Sequence, residues 1–235
     1  MLSKNLFNLG QLEERAPGVF QFTLRWTEAE ISVQDFLEQG LVLPEHLQKA
    51  IAKRQLDYLA GRYCVQQTYA AFDLGALPLP TQGPDRAPIW PEGWCGSITH
   101  TRGVASAVLS RTSRVRHLGL DIEHSIGQKS SGISTQICSH PSEWPDLNQR
   151  LGCPDELGLT LIFSAKESLF KALYPSVQSY FGFSAAYVTG QGPGKLNVAL
   201  LNPVGPYRKG QSWDLHFRSL GTSIWETLLL DPMPL

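Results

Sequence analysis

The chain has 235 residues, of which 42% are hydrophobic and 17% are charged; this is typical of a folded globular protein and excludes a largely disordered one. Its formal net charge is −1, whereas a sequence-independent nucleic-acid binder would be strongly basic. We therefore expect no nucleic-acid partner, and any affinity for anions must come from local clusters of basic residues.

The amino-terminal segment MLSKNLFNLGQLEERA lacks an apolar stretch long enough for a secretion signal. No part of the sequence approaches the roughly 20 apolar residues that a membrane-spanning helix needs. The four cysteines form no CxxC pair, which favours free thiols in a reducing compartment. We expect a cytoplasmic protein without a membrane span.

Residues 44–73 are predicted to form the longest helix of the chain. Apolar residues in this segment recur at spacings of three and four, which indicates one buried stripe formed by Leu56, Leu59 and Tyr63. Arg54 lies opposite that stripe and Arg62 lies at its edge, so neither arginine needs to be buried in the core.

The later elements are predicted from three signals: apolar and polar residues that alternate in strands, apolar residues at helical spacing, and glycine and proline in turns. They are a structured loop over 75–94, a hairpin over 97–110, a strand over 117–123, a helix over 161–175 ended by Pro175, and strands over 183–188, 196–200, 213–219 and 223–230. Residues 124–160 are polar and interrupted by glycine and proline, and they are left unassigned. This order favours an α+β fold with two lobes, an amino-terminal lobe over 1–117 and a carboxy-terminal lobe over 118–235.

The strand sequence GLDIE carries two carboxylates on one face. Asp121 and Glu123 are two residues apart, so they point the same way and lie about 6–7 Å apart. Two such groups cannot both stay charged in a dry site without compensation, and Mg²⁺ would supply it through oxygen ligands. The alternative, a solvent-facing strand with two exposed acids, is common for such a pattern.

The segment FSAKESLFKALYP adds a third acid and two lysines on one helix. Glu167 and Lys171 are four residues apart and share a face, and Lys166 is adjacent to Glu167. A carboxylate beside lysines suits a site for a metal ion and a phosphate. The same letters also match a capping box, with Ser164 as the N-cap and Glu167 three residues later.

Polar and basic residues upstream complete the candidate site. SITHT places Thr99 and His100 beside a turn, and a single histidine of this kind is more often structural than a ligand. Arg54, Arg62 and Arg86 are candidates for phosphate binding, because guanidinium groups pair two hydrogen bonds with a phosphate. Each arginine alone would fit a solvated surface residue.

The blocks SITH, GLDIE and FSAKESLFKALYP, in this order and at these separations, resemble the 4′-phosphopantetheinyl transferases. The similarity is to the enterobactin-synthetase component type, which is related to the surfactin-synthetase activator. KRQLDYLAGR and GPDRAPIWP resemble upstream blocks of the same group, and the resemblance spans roughly residues 50–190. Phe163 stands where many members have tryptophan, which puts any role for an indole N–H there in doubt.

The resemblance implies two similar α+β lobes related by a pseudo-two-fold axis, with coenzyme A in the cleft between them. It implies transfer of the 4′-phosphopantetheine arm of coenzyme A to a serine of an apo acyl, peptidyl or aryl carrier protein, with release of adenosine 3′,5′-bisphosphate. The cofactor would be Mg²⁺, with Mn²⁺ as a substitute. These implications place the enzyme with the holo-[acyl-carrier-protein] synthases of fatty-acid, polyketide or nonribosomal-peptide biosynthesis.

Carried over to this sequence, the motifs imply specific roles. The metal ligands are Asp121, Glu123 and Glu167; the residues near the pyrophosphate are Lys166 and Lys171; the contacts to the other phosphates of coenzyme A are Thr99, His100, Arg54, Arg62 and Arg86. The catalytic residues would be Asp121, Glu167 and Lys171. The general base is left open between Glu167, a metal-bound water and Lys166.

Two other classes of function stay open on the sequence. A metal-dependent phosphodiesterase or pyrophosphohydrolase would also use clustered acids and a lysine, and a noncatalytic coenzyme A binding module would need no acid triad. We expect a monomer, because both lobes of the binding cleft would come from one chain. The sequence does not indicate which carrier protein is modified.

Overall fold

The computed structural model describes residues 6–27, 30–74, 77–127 and 131–234. The chain divides into two compact units, Met1–Arg114 and Val115–Leu235. Each unit combines an antiparallel sheet with a long helix, so the expected α+β class is confirmed. The boundary expected after residue 117 falls inside the first strand of the second unit. Within the described ranges, no helix is both long and apolar enough to cross a membrane.

The first unit contains a four-stranded antiparallel sheet in the order β1-β2-β6-β5. Its strands are β1 Gly10–Ala16, β2 Val19–Arg25, β5 Trp94–Thr101 and β6 Val104–Arg111, and a separate two-stranded ribbon joins β3 Thr81–Gln82 to β4 Pro88–Ile89. The predicted hairpin over 97–110 is confirmed as β5 and β6. Gly103 makes its turn possible, because the backbone there has φ +75°.

Three helices accompany this sheet: α1 Val33–Leu37, α2 Glu45–Gln48 and α3 Ala52–Ala70. The prediction of one helix over 44–73 was wrong at its start, since Ile51 adopts an extended backbone between α2 and α3. The break is tolerated because the Gln55 side-chain amide donates to the carbonyls of Leu47 and Gln48, each at 3.0 Å. The Leu47 carbonyl also accepts from the Ala50 amide at 3.0 Å, so Gln55 adds a second donor there and gives the Gln48 carbonyl at the end of α2 a donor as well.

The core of the first unit lies between α3 and one face of the sheet. Leu59 and Tyr63 of α3 pack with Phe22 and Leu24 of β2 and with alternate alanines of β6. The predicted stripe on α3 is therefore confirmed as the face towards the sheet, with Leu59 and Tyr63 buried and Leu56 partly buried at its edge.

The second unit contains a five-stranded antiparallel sheet in the order β7-β11-β10-β9-β8. Its strands are β7 Val115–His124, β8 Ala186–Gly192, β9 Lys195–Leu200, β10 Ser212–Gly221 and β11 Ile224–Pro232. The predicted tail strands are confirmed except at residues 183–185, which form a 3₁₀ turn.

Three further helices pack in the second unit: α4 Ser131–Ile137, α5 Glu143–Leu151 and α6 Asp155–Val177. The unassigned residues 124–160 therefore hold two helices and the start of α6. Helix α6 has 23 residues against 19 in α3, so the expectation that 44–73 holds the longest helix was wrong. Pro175 does not end α6 either, because a proline so near the terminus removes only one hydrogen bond and Gln178 closes the helix at φ 52°.

Helix α6 lies unusually close to β7 at Gly119. A Cβ atom added to Gly119 would lie 1.9 Å from the carbonyl oxygen of Ser168. The hydroxyls of Ser164 and Ser168 each lie 2.8 Å from Thr227 Oγ1 on β11, so hydroxyl contacts line the same seam. The predicted capping box at Ser164 was wrong, because α6 begins at Asp155 and Ser164 is buried in its middle.

We expect Gly119→Ala to destabilise the second unit, because the added methyl group meets backbone that cannot rotate away. Overpacking of this kind lowers the unfolding free energy by about 1–3 kcal/mol. Urea unfolding followed by circular dichroism measures it, with Gly132→Ala as the control, since a methyl group on Gly132 of α4 meets nothing within 4 Å. Equal stability of Gly119→Ala and wild type would contradict the close contact.

Candidate active site

Strand β7 carries the two predicted acids on the face that α6 covers. Asp121 and Glu123 share the parity of Gly119, and Asp121 lies opposite Thr227 of β11. Asp121 is 3% exposed, whereas Glu123 is half-buried. The acids therefore lie beside the helix and are not two exposed residues on a solvent-facing strand.

Helix α6 presents Lys171 to Asp121. The Lys171 ammonium donates to Asp121 Oδ1 at 2.6 Å and to the Leu120 carbonyl at 3.1 Å. Gly119 lets α6 approach β7 closely at Ser168, which is less than one helical turn from Lys171. The Lys171 side chain is therefore near enough to reach Asp121. The structure thus joins two motifs that are 50 residues apart in the sequence.

The carboxylates of the two motifs influence each other electrostatically. Burial raises the pKa of Glu123 to about 8, and the charges of Asp121 and Glu167 add to that rise, while Lys171 opposes it. Burial also raises the pKa of Glu167, with Lys171 opposing and Asp121 adding. Three carboxyl groups therefore share one ammonium group, and the site has an excess of negative charge when all of them are ionised.

No metal-binding group of three or more histidine, cysteine, aspartate or glutamate side chains is present among the residues that the structure describes. Burial is the main cause of the raised pKa of Glu123, and the neighbouring charges of Asp121 and Glu167 add to it. Buried carboxylate oxygens that lie near one another are the ligands that Mg²⁺ prefers. The donor chemistry of Asp121, Glu123 and Glu167 therefore fits a divalent cation, and their assignment as its ligands stays a prediction.

Lys166 lies in a different environment from the one expected. Its ammonium is buried and donates to Glu143 Oε2 of α5 and to the carbonyl of Ile137, both at 2.9 Å. Burial lowers the pKa of Lys166, and the Glu143 carboxylate opposes that change. This placement gives no support to the expected position beside a pyrophosphate. Sequence reasoning missed Glu143, because a contact across 23 residues leaves no local pattern.

In the first unit, Arg62 lines a cavity of about 520 Å³. The residue is 8% exposed, so it is buried although its position at the edge of the predicted stripe does not require it. Its guanidinium lies 4.6 Å from the centroid of the Tyr58 ring, and its Nε makes no hydrogen bond with any residue that the structure describes. Burial lowers the pKa of Arg62, with Tyr58 opposing. The Tyr58 ring, one helical turn earlier, lies against the guanidinium and contributes to its burial.

The other predicted phosphate contacts lie elsewhere on the first unit. Arg54 is exposed and shares the face of α3 that carries Tyr58 and Arg62. Arg86 is exposed in the ribbon turn with φ 65°. On β5, Thr99 is buried and His100 is exposed, with His100 Nδ1 3.9 Å from Asp57 Oδ2. Of the five, only Arg62 is among the residues that line the cavity.

Other residues that line the cavity were not predicted from the sequence. They come from the segment before α2, from α2 and α3, and from the ribbon: Gly40, Leu41, Val42, Pro44, His46, Tyr58, Leu79, Pro80, Thr81 and Gln82. His46 lies 2.9 Å from Gln82 Oε1, which joins α2 to the ribbon at the cavity wall. A single histidine and scattered polar residues carry no sequence signal of such a site.

Two family models match the chain. The model of the 4′-phosphopantetheinyl transferase N-terminal domain matches residues 43–110, and the model of the 4′-phosphopantetheinyl transferase superfamily matches residues 117–223. The first match covers α3 and the β5–β6 hairpin, and the second covers β7 and α6. Arg62 and the acids and lysines of β7 and α6 therefore lie inside the matched regions, whereas the cavity residues Gly40, Leu41 and Val42 precede the first of them.

Individual relatives agree with the family models. Enterobactin synthase component D of Salmonella typhimurium is 35% identical over 175 residues, which cover 73% of this chain and 71% of the relative. The protein of the same name from Escherichia coli K12 is 38% identical over 157 residues, covering 66% and 72%. The 4′-phosphopantetheinyl transferase PptT of Mycobacterium tuberculosis is 33% identical over 153 residues, covering 63% and 64%. The family resemblance predicted from the motifs is thus confirmed, and this chain belongs to the 4′-phosphopantetheinyl transferase superfamily.

Proposed function

We propose that this chain transfers the 4′-phosphopantetheine arm of coenzyme A to a serine of an apo carrier protein and releases adenosine 3′,5′-bisphosphate. The observation that carries the proposal is the contact between Lys171 and Asp121, which brings the two signature motifs of the family together around three carboxylates. Transfer of a 4′-phosphopantetheinyl group is also what the names of two relatives, PptT and Npt, describe.

The reaction replaces one phosphorus–oxygen bond with another. The serine Oγ attacks the phosphorus atom that bears the pantetheine arm, its proton is removed, and the bond to the adenosine-side phosphate breaks. Mg²⁺ held by Asp121, Glu123 and Glu167 would supply the positive charge that offsets the charge of the diphosphate. Glu167 would accept the serine proton, since a carboxylate whose pKa is raised is a stronger base. Lys171 would stabilise the leaving phosphate.

The first unit would hold the nucleotide end of coenzyme A. We assign Arg62 to one of its phosphates, because its guanidinium is buried and its Nε–H has no acceptor within the described part of the chain, and a phosphate oxygen would supply one. Arg54 shares its helix face, and Arg86, Thr99 and His100 are further contacts in this proposal. The Tyr58 ring beside Arg62 gives the cavity an aromatic wall.

We also propose that the activity is that of a holo-[acyl-carrier-protein] synthase type of transferase. All four cysteines are free thiols, in keeping with action in the reducing cytoplasm. One chain carries the acid cluster and the arginines alike, which favours a monomer as the working form.

We expect the purified protein, with Mg²⁺ and coenzyme A, to add the mass of the phosphopantetheine arm to an apo carrier protein. Asp121→Ala should remain folded and lose about 10²–10³-fold in rate, because it removes both the Lys171 partner and a proposed metal ligand. Intact-protein mass spectrometry measures the product, and Asp214→Ala, which removes another aspartate of the same unit, is the control. Hydrolysis of coenzyme A without carrier modification would favour a phosphodiesterase, and tight binding without turnover would favour a binding module.

We expect Arg62→Ala to raise the KM for coenzyme A by roughly tenfold and to change kcat little, because it removes a charge-assisted contact made equally in the ground and transition states. Steady-state kinetics with saturating carrier protein measure both constants. Arg25→Ala, which removes an exposed arginine at the end of β2, is the matched control. An unchanged KM would show that Arg62 does not contact coenzyme A.

We expect the metal-free protein to lose stability as the pH rises from 4.5 towards 8. The pKa of Glu123 is about 8 in the folded state, against 4.5 for a glutamate side chain exposed to water in the unfolded state. Between these two pH values the folded state keeps a proton that the unfolded state releases, so unfolding becomes more favourable as the pH rises. Urea unfolding at successive pH values should show a shallower decline for Glu123→Gln than for wild type. Glu45→Gln, at an exposed glutamate, is the control. If the unfolding free energy of wild type and of Glu123→Gln declined equally with pH, the raised pKa of Glu123 would be refuted.

A further inference from the structure

We propose that Glu143 and Lys166 form a positioning pair that sets the orientation of α6 in the active site. In this proposal, Lys166 neither contacts a phosphate nor carries a proton, and it acts on the reaction through its neighbour Glu167. The inference rests on the proposed transferase function and assigns a role to Glu143, which lies on α5 outside both signature motifs.

Both members of the pair are removed from solvent. Glu143 is 0% exposed and Lys166 is 3% exposed. The ammonium uses two of its three donors within the protein, at 2.9 Å to Glu143 Oε2 and 2.9 Å to the Ile137 carbonyl at the end of α4. To reach a phosphate, Lys166 would have to leave a buried carboxylate without its counter-charge, which is strongly unfavourable.

Glu143 connects several elements at once. Its Oε2 also accepts from the Ser139 amide at 2.7 Å and the Ser139 hydroxyl at 2.9 Å, and its Oε1 accepts from the Val188 amide of β8 at 2.7 Å. One carboxylate thus joins the turn before α5, the edge strand β8 and, through Lys166, helix α6. Such a network has a single geometry that satisfies all of its hydrogen bonds.

The pair constrains the direction of Glu167 because consecutive residues on a helix point about 100° apart. Lys166 is held on the side of α4, α5 and β8, whereas Ser168 is held against Thr227 on β11. Glu167 lies between these two anchored residues and next to the charges of Asp121 and Lys171. Rotation of α6 about its axis would carry Glu167 and Lys171 away from β7, and the two anchors oppose that rotation.

The test is a double-mutant cycle on the full chain, with Lys166→Met, Glu143→Gln and the double variant. Each single variant leaves one uncompensated buried charge, and we expect kcat to fall about 10²-fold because the catalytic groups are displaced. The double variant is neutral at both positions, so we expect it to recover at least tenfold over Lys166→Met, with the KM for coenzyme A near that of wild type throughout. The urea midpoint of the double variant should also exceed those of both single variants.

A folded double variant as inactive as Lys166→Met would overturn the proposal, because it would show that the ammonium itself is needed for the reaction. If the charge variants do not fold, Ser139→Ala decides the question. It removes one hydroxyl donor to Glu143 and alters no charge, so the proposal requires a fall in kcat of a few-fold at constant KM. Wild-type kcat in Ser139→Ala would overturn the proposal.

Tyr187→Phe is the matched control for the loss of hydrogen bonds between α5 and β8. Its hydroxyl contacts Asp146 at 2.9 Å and Ser142 at 3.2 Å and does not touch Lys166, so we expect wild-type kcat. Failure of the transferase function is distinguishable from failure of the pair. A wild-type protein that modifies no carrier would refute the function, whereas the unfolding arm of the cycle reports on the pair without any substrate.

Discussion

The contact between Gly119 of β7 and the backbone of Ser168 on α6 is the constraint on which the active site depends. A side chain at position 119 would push the helix away, since even a Cβ atom would lie 1.9 Å from the Ser168 carbonyl oxygen. With the helix so close, the Lys171 ammonium reaches Asp121 at 2.6 Å and Glu167 enters the field of the strand acids. A glycine that carries no chemistry thereby positions the groups that do.

That close packing also creates an electrostatic cost. Asp121, Glu123 and Glu167 are more than half removed from water and share one lysine, so the carboxyl groups are difficult to ionise together. A structural core would avoid such an arrangement, whereas a site that neutralises a diphosphate with a divalent cation requires it. The unfavourable electrostatic energy of the three carboxylates is thus best explained by function, and the carboxylates are confined to one face of β7 and α6.

The buried pair of Lys166 and Glu143 shows how the same helix meets two demands. One side of α6 faces the acids of β7. On the adjacent side, Lys166 donates to the Ile137 carbonyl at the end of α4 and to the Glu143 carboxylate of α5, which also accepts from the β8 backbone. In the first unit, Arg62 follows a related principle, since Tyr58 and the surrounding chain hold the guanidinium at a cavity wall. In both units, packing restricts a long basic side chain to one direction.

The sequence by itself determined the family, the α+β class and the β5–β6 hairpin, because motif letters, alternation and turn residues are local properties. It also predicted that Asp121, Glu123, Glu167 and Lys171 share one site. The structure places Lys171 against Asp121, and the shared site stays a prediction. Tertiary structure alone decided the rest. The burial of Arg62, the partner of Lys166 and the interior position of Ser164 in α6 depend on residues distant in the sequence. Local periodicity assigns a residue to a face, but only the packed neighbours on that face decide whether a charge meets solvent, a ligand or a buried counter-charge.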